Sequence, residues 1–465
     1  MPGKLKLDSR VRDPVHGLIP FSSEERQVIA ARPVQRLRGI AQLAFTCLAY
    51  PGATHTRFEH SLGVMHLAGR VAERIGLKIE EIRKIRLAAL LHDIGHGPFS
   101  HASDVPMKVL TKQHGKLPVG VSPNKLHESA TADLIRNDPE LQKALPAQVD
   151  RDWIISVLDT SIEPPLSVIA RQIVSGPLDV DKLDYLLRDG LMCGVQYGNI
   201  DADWIIDSFL AFGKHEKYLA VKQQGIGATE QVLLGRYWMT QHVYRHKVKR
   251  MTDVMLQHAI LDASSGGTSD PDVRDVYVFK PGNHEWRKAF LKTDDAWLIS
   301  RLLACDASKA ASRIAASLLE RRLTKEVYEE KLAAFVKVPP HKRRRLEQEP
   351  RLQRELAGQL AACISTDPDM TFLDVRARDN PLHRSSDARS DESILVVDKR
   401  GNMKLLGEYG DDSLCQRLKQ DPEPKLYVYA APLPEITDIK KKHRQRSRIG
   451  RMLKSEIHKW FKGVR

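Results

Sequence analysis

Apolar residues recur at helical spacing through most of this chain. In HSLGVMHLAGRVAERI the positions Leu62, Met65, Leu67, Val71 and Ile75 fall on one helical face, and residues 22–47 and 59–95 read as helices. Pro51 and Gly52 place a turn ahead of them, so that Thr54 to Phe58 enter the helix from a turn. A loop rich in Lys, Gly and Pro is expected from Met107 to Asn124, after which KLHESATADLIRND resumes a helix. SGPLDVDKLDYLLRDG turns at Gly176-Pro177 and continues with helical spacing through Leu183, Leu186 and Leu187. One long helix is expected from Ala228 to about Ala263, closed by the hinge-like SSGGTSDPD. Residues 297–360 read as helical and charged, broken at VPPHKRRR. Strands are expected only near the end: a hairpin in SILVVDKRGNMKLLGE around Arg400-Gly401-Asn402, and a further strand in KLYVYAAP. No internal repeat interrupts this pattern. The fold class is mostly α, with a small α+β lobe towards the C-terminus.

Composition narrows the class. With 42% hydrophobic and 28% charged residues over 465 positions, the chain is an ordinary globular protein of one large core or two to three domains. No window approaches the roughly 18 to 20 apolar residues of a membrane span. The charged start MPGKLKLDSRVRD lacks an apolar signal core, so a cytoplasmic location is expected. Cys47, Cys193, Cys305, Cys363 and Cys415 are dispersed and form no CxxC pair, which reads as reduced thiols.

Charge is unevenly spread. The net charge is +14, yet Lys440–Arg465 alone holds eleven Lys or Arg against one acid, Glu456. Within it Ile449, Met452, Leu453, Ile457, Trp460, Phe461 and Val464 recur at helical spacing, which makes the tail a basic amphipathic helix. Its partner is an anionic surface, nucleic-acid phosphates or the protein itself.

The run IRLAALLHDIGHGPFSH carries an adjacent imidazole and carboxylate, His92-Asp93, where a buried helix would normally carry Leu or Ile. Burying a carboxylate without a partner is costly. His60 near the start of one helix and His92-Asp93 near the end of the next would meet if the two helices are antiparallel, and Asp181 lies in a third acid-rich run with Asp179, Asp184 and Asp189. His60, His92, Asp93 and Asp181 therefore read either as one divalent-metal site (Mn, Fe, Mg or Zn) or as satisfied core residues. A bound ion there would suit phosphate-ester hydrolysis.

The segments HTRFEHSLGVMHLAGR, LLHDIGHGPFSH, HESATADLI, LDVDKLDYLLRD and YRHKV, in this order, closely resemble the HD-domain phosphohydrolases, and within them the deoxynucleoside triphosphate triphosphohydrolases. The resemblance runs from about Asp13 to about Val248. It implies an HD-type helical core, one divalent ion on His60, His92, Asp93 and Asp181, and an additional Mg carried by the substrate triphosphate. It further implies that His96, His101, Asp104, His127 and Glu128 surround the α-phosphate, where a His held by a carboxylate can act as general acid or base. Arg57, Lys182 and Arg236 occupy the family's phosphate-contact positions. Gln42, Leu43, Tyr185, Asp189 and Tyr244 occupy its sugar and base positions, with Tyr185 and Asp189 four apart on one helix face. The family's animal member has a His where Thr240 stands here. Its nucleotide-activator region corresponds to DPVHGLIPFSSEERQVIAARPVQRLRGIAQL, where Gln35 and Arg38 are kept but the guanine-reading acid is Ala31, so guanine-specific activation is not expected.

The partition read from sequence is a catalytic core over 1–265, a charged helical extension over 266–390, a small β-containing lobe over 391–439 and the basic tail over 440–465. The expected function is metal-dependent hydrolysis of dNTPs to deoxynucleoside and tripolyphosphate by a homo-oligomer, dimer or tetramer. The alternatives are an HD phosphodiesterase or nuclease acting on single-stranded nucleic acid or another nucleotide, and a non-catalytic nucleotide sensor.

Overall fold

The computed structural model describes residues 5–114, 125–159, 162, 166–214, 217–265, 273–306, 309–335, 338–376, 394–408, 425–431 and 439–463. The architecture is mostly α-helical with small sheets. The chain divides into two compact units: Met1–His246, Ser269–Leu298 and Pro381–Gln420 in the first, and Lys247–Thr268, Ile299–Asn380 and Asp421–Arg465 in the second.

The first unit is built on the packed helices Arg57–Arg74 and Ile79–Leu91. Thr56 opens the former with a reciprocal cap: its side chain accepts from Phe58 N, while Glu59 accepts from Thr56 N. Gly76, at φ +75°, turns the chain between the two helices. Val64, Met65, Leu67, Ala68, Val71 and Ala72 of the first and Leu87 to Leu91 of the second are all inaccessible to solvent. Each large apolar side chain so buried contributes about 2 kcal/mol. The helix Val180–Cys193 packs against Arg57–Arg74. Its cap residue Asp179 accepts from Lys182 N at 2.8 Å, and Gly194, at φ +68°, ends it.

Several elements differ from the sequence reading. Residues 22–47 are not one helix: Ser23–Ala30 ends at an extended Ala31, Pro33 starts a new short turn, and Gly39 lies so close to Asp294 that a Cβ would be 2.7 Å from its Cβ. Strands also appear early. β1 (Ser9–Asp13) pairs antiparallel with β2 (Gly17–Phe21), and β3 (Phe209–Phe212) pairs with β4 (Tyr218–Lys222). Met107 to His114 belong to the helix Asp104–His114; the remainder of the expected loop lies outside the described residues. The long helix expected from Ala228 is two, Ile226–Met239 and Lys247–Ala263. Between them a wider π-turn at Thr240–Tyr244 closes with Arg245 N donating to Thr240 O at 2.9 Å.

Within 297–360 the stretch KEVYEEK forms β5 (Lys325–Lys331), because Val327 and Tyr328 pack on an apolar core while the flanking charges face outward. PHKRRR opens the helix Pro340–Gln348 rather than breaking one. The hairpin β7 (Leu395–Val397) and β8 (Met403–Leu405) forms as expected and joins the first unit through parallel pairing of β7 with β4. β9 (Lys425–Ala430) lies instead between β5 and β6 (Phe372–Arg376) in the second unit. Residues 266–272, most of the hinge-like run, and Cys415 lie outside the described residues; Cys47, Cys193, Cys305 and Cys363 are free thiols.

In the second unit the basic tail packs its apolar face on the protein itself. The helix Ile439–Gly463 buries Ile449, Leu453, Ile457, Trp460 and Phe461 against Phe335, Leu346, Leu356, Leu360, Leu373 and Val428. Its apolar face is core, and Arg446, Arg448, Arg451, Lys459 and Lys462 face solvent. Val464 lies outside the described residues. Among the described residues no helix is long and apolar enough to cross a membrane.

Candidate metal centre

His60, His92, Asp93 and Asp181 come from three helical segments and converge. His60 Nε2 lies 3.3 Å from His92 Nε2 and 3.0 Å from Asp181 Oδ1. Asp93 Oδ1 is 3.3 Å from His92 Nε2, and its Oδ2 is 3.7 Å from His60 Nε2. The outer nitrogen of each ring is held: His60 Nδ1 by Asp184 Oδ2 at 2.7 Å, and His92 Nδ1 by Ala89 O at 2.8 Å. With each Nδ1 engaged, it is the Nε2 atoms of both rings that turn towards the carboxylates, the arrangement by which imidazoles hold a metal. The donor set of two imidazoles and two carboxylates fits a divalent cation.

Electrostatics agree with that fit. Burial opposes a charged ring at His60, yet Asp181 and Asp184 push it up to about 10. His92 is also raised against its burial, by Asp93 and Asp181. Burial works against charge at Asp93 as well, but the Arg57 guanidinium and the two rings bring it down to about 2. So much negative charge in one buried place calls for a cation. Arg57 supplies part of it, with Nη1 2.5 Å from Asp93 Oδ2 and Nε donating to Ser100 Oγ at 2.8 Å.

Beside this tetrad lies a second group, His96, Asp104 and His127. The His96 and His127 rings stack with centroids 4.3 Å apart. Asp104 Oδ1 is 3.4 Å from His127 Nδ1 and its Oδ2 is 3.0 Å from His101 Nδ1. Burial lowers His96 far below its ordinary value, and the Arg57 and His127 charges add to this. His127 moves the other way: burial opposes, but Asp104 raises it. Of the carboxylates, Asp104 acts most strongly on the His127 ring and Glu128 adds to it; the Glu128 carboxylate also lies 3.3 Å from Lys125 Nζ. Gly95 makes the approach feasible, since a Cβ there would stand 2.2 Å from His127 O.

The other side of the tetrad is aromatic and polar. Asp181, Tyr185 and Asp189 recur every four residues on the Val180–Cys193 helix and share its face. Tyr244 Oη donates to Asp189 Oδ2 at 2.7 Å, and His55 Nε2 lies 2.7 Å from Asp189 Oδ1. The Tyr185 and Tyr244 rings meet edge to face at 6.0 Å. Gln42 and Leu43 are buried, and Gln42 Oε1 has no hydrogen-bond partner among the described residues. Lys182 Nζ donates to Gly176 O and to Asp179 Oδ2, at 2.8 and 2.6 Å. Arg236 is half-buried and close enough to Tyr185 to act on its phenol electrostatically. Thr240 donates its hydroxyl to Arg236 O at 2.7 Å.

At the expected activator segment Ala31 is buried in extended backbone. Gln35 Nε2 donates to Ile29 O at 2.7 Å, and Arg38 Nε donates to Gln35 Oε1 at 2.9 Å while its guanidinium covers the Phe58 ring.

Sequence reasoning had missed several partners. His16, Asp184 and Arg188 lie behind His60, and His55 lies behind Asp189. Asp295 accepts from Ala41 N at 2.9 Å and from Phe99 N at 2.5 Å, tying the segment before Gln42 to the turn before His101. His55 stood in the quoted HTRFEH segment, and Asp184 in the acid run; Asp295 had no local signal at all.

The HD domain family model matches residues 57–187, which begin at Arg57 and include the whole tetrad and both His96 and His127. This is an HD-domain protein. The HD associated region matches residues 200–403, so the HD-domain chain also carries the segment that accompanies this domain. It is 35% identical over 254 residues to an uncharacterized protein of Methanocaldococcus jannaschii, covering 54% of this chain and 49% of that one. It is 33% identical over 260 residues to the Bacillus subtilis protein YwfO, covering 55% of each. It is 29% identical over 290 residues to the deoxynucleoside triphosphate triphosphohydrolase SAMHD1 of Bos taurus, covering 54% of this chain and 47% of that one. The HD-domain chain thus spans about half the length of the curated relatives it matches. A solved phosphohydrolase of Bacteroides thetaiotaomicron shares the fold, with a TM-score of 0.67 at 24% identity over 91% of this chain and all of that one.

Proposed function

We propose that this HD-domain protein is a metal-dependent phosphohydrolase that cleaves deoxynucleoside triphosphates at the α-phosphate, giving deoxynucleoside and tripolyphosphate. The observation that carries the reading is the single helical face of Asp181, Tyr185 and Asp189, which joins a metal-ligand candidate to a sugar-sized polar and aromatic wall. Deoxynucleoside triphosphate triphosphohydrolases among the relatives support the same substrate class.

His60, His92, Asp93 and Asp181 would hold a divalent ion, whose chemistry is to lower the pKa of bound water and polarise a phosphoryl oxygen. On the phosphate side His127, whose protonated form Asp104 favours, would supply a proton to the leaving 5′-oxygen; His101 shares the same carboxylate, and His96, lowered far below its ordinary value, is able to accept. Arg57, Lys182 and Arg236 supply the positive charge that a triphosphate requires. On the sugar side Asp189 already receives two donors but keeps lone pairs for a 3′-hydroxyl, Tyr185 and Tyr244 close the space a 2′-hydroxyl would fill, and Gln42 and Leu43 line the sugar and base. Ala31 offers no acceptor to a guanine edge, so activity without a strict GTP requirement is part of the proposal, as is assembly into a dimer or tetramer.

The exposed cations of the C-terminal helix support a second reading, cleavage or binding of single-stranded nucleic acid. Incubating the pure protein with each dNTP, each rNTP and single-stranded oligonucleotides, with Mn or Mg, separates the two. Tripolyphosphate from dNTPs supports the first reading; oligonucleotide cleavage without dNTP turnover replaces it with the second.

A further inference from the structure

The tight turn between β1 and β2 reaches into the first unit behind the tetrad. Asp13 Oδ1 accepts from Val15 N and His16 N, each at 2.9 Å, and Gly17 continues the turn at φ +70°. The turn projects the His16 ring inward, where Nε2 lies 2.6 Å from Asp184 Oδ1 and the side chain is only 6% exposed. The other oxygen of that carboxylate, Asp184 Oδ2, lies 2.7 Å from His60 Nδ1. Arg188 clamps the same group, Nε to Oδ2 and Nη2 to Oδ1 at 2.9 Å each, and returns Nη1 to Asp13 Oδ2 at 2.8 Å. Asp13, Arg188, Asp184 and His16 therefore form a closed ring of contacts that reaches His60 through Asp184 Oδ2.

The Arg57–Arg74 helix is shaped to admit this ring. A Cβ at Gly63, one turn beyond His60, would stand 1.8 Å from Asp184 Oδ1 and 2.6 Å from Arg188 Nη2. Glycine in a helix interior costs about 1 kcal/mol relative to alanine, and here its absent side chain is the space the carboxylate occupies. Arg188 alone already gives Asp184 a two-point ion pair. The His16 contact adds direction: it pins Oδ1, leaving Oδ2 shared between Arg188 Nε and His60 Nδ1.

We infer that His16, with Arg188 and Asp184, is a positioning residue of the metal centre, holding the His60 ring and its Nδ1 proton so that Nε2 faces the other ligands. The inference rests on the reading of His60 as a metal ligand. It brings into the site a turn at Asp13–Gly17 that precedes both matched regions, residues 57–187 and 200–403. Partners behind a metal-bound imidazole typically change metal affinity by about 10- to 100-fold. His16 acts through Asp184, which puts its expected share at the low end, about tenfold.

The test is Mn(II) affinity of the full chain, read by electron paramagnetic resonance, with the visible spectrum of the Co(II)-loaded protein as a readout of ligand geometry. His16→Phe fills the ring's volume without a donor, and His16→Gln restores a donor at similar reach. The expected result is about tenfold weaker Mn(II) binding and an altered Co(II) spectrum in His16→Phe, with recovery to within about threefold in His16→Gln. His92→Ala and Asp181→Ala serve as controls that lose Mn(II) altogether. If the controls lose metal while His16→Phe binds as wild type does, the positioning role is overturned and the metal reading stands. If the controls keep wild-type affinity, the metal reading itself fails.

Discussion

Asp104 Oδ1 faces the Nδ1 of His127 across 3.4 Å, and this carboxylate favours the protonated form of a ring whose charge burial opposes. If His127 is the acid, activity is carried by its protonated form and declines as pH rises through its raised pKa. Asp104→Asn removes the raising charge, so the alkaline limb of the kcat/KM profile moves to lower pH and the rate at neutral pH falls about 100-fold or more. A variant whose profile keeps its shape and position would remove His127 from the acid role.

Asp295 holds the turn that carries His101. Phe99 and Ser100 both sit at φ +57°, a conformation that costs side-chain-bearing residues about 1 kcal/mol or more each. The carboxylate keeps them there by accepting from Phe99 N and, on its other oxygen, from Ala41 N. Asp295→Ala leaves both donors unmet and lowers unfolding stability by about 2 kcal/mol. Amide exchange at residues 97–103 should accelerate with it. Unchanged exchange there would mean the strained turn is held by something else.

Tyr185 stands four residues from Asp181, with its ring against that of Tyr244. On the proposed function it excludes ribonucleotides by bulk. Tyr185→Ala should raise kcat/KM for rNTPs relative to dNTPs by about 10-fold or more, the scale of a steric discrimination. A preference that does not move places sugar selection elsewhere.

The C-terminal helix is structural on its apolar side. Trp460 is 6% exposed in the core of the second unit, and truncating a buried Trp costs about 3 to 5 kcal/mol. Trp460→Ala should therefore lower the urea midpoint strongly. Replacing exposed Arg446, Arg448 and Arg451 by Ser should leave the midpoint within error and weaken only salt-sensitive binding of single-stranded DNA. Equal destabilisation by both sets of changes would contradict this division of the helix.

What the sequence made legible follows from range. The helices around the tetrad announce themselves through local spacing, and His92-Asp93 stands out because a carboxylate sits where an apolar residue belongs. The turns at Pro51-Gly52 and Gly176-Pro177 announce the helices that Thr56 and Asp179 then cap. Pairings between distant segments leave no such trace. β5 hides its Val327 and Tyr328 among five charges, and its partner β9 lies nearly a hundred residues on. β7 and β9 are close in sequence yet join different sheets. The helix expected through Ala263 divides because Thr240 and Tyr244 lie on a π-turn, which periodicity does not reveal. The residues behind the candidate site were hidden for the same reason: His16 reaches His60 through Asp184, and Asp295 reaches the neighbouring turn through two backbone amides.

The most direct test of the account is hydrolysis of a dNTP in oxygen-18 water with Mn(II), followed by mass analysis of both products. Attack at the α-phosphorus puts the label in tripolyphosphate and leaves the deoxynucleoside unlabelled, and Asp181→Ala abolishes both products. Label in the 5′-hydroxyl of the deoxynucleoside, or labelled orthophosphate or pyrophosphate in place of tripolyphosphate, would contradict it.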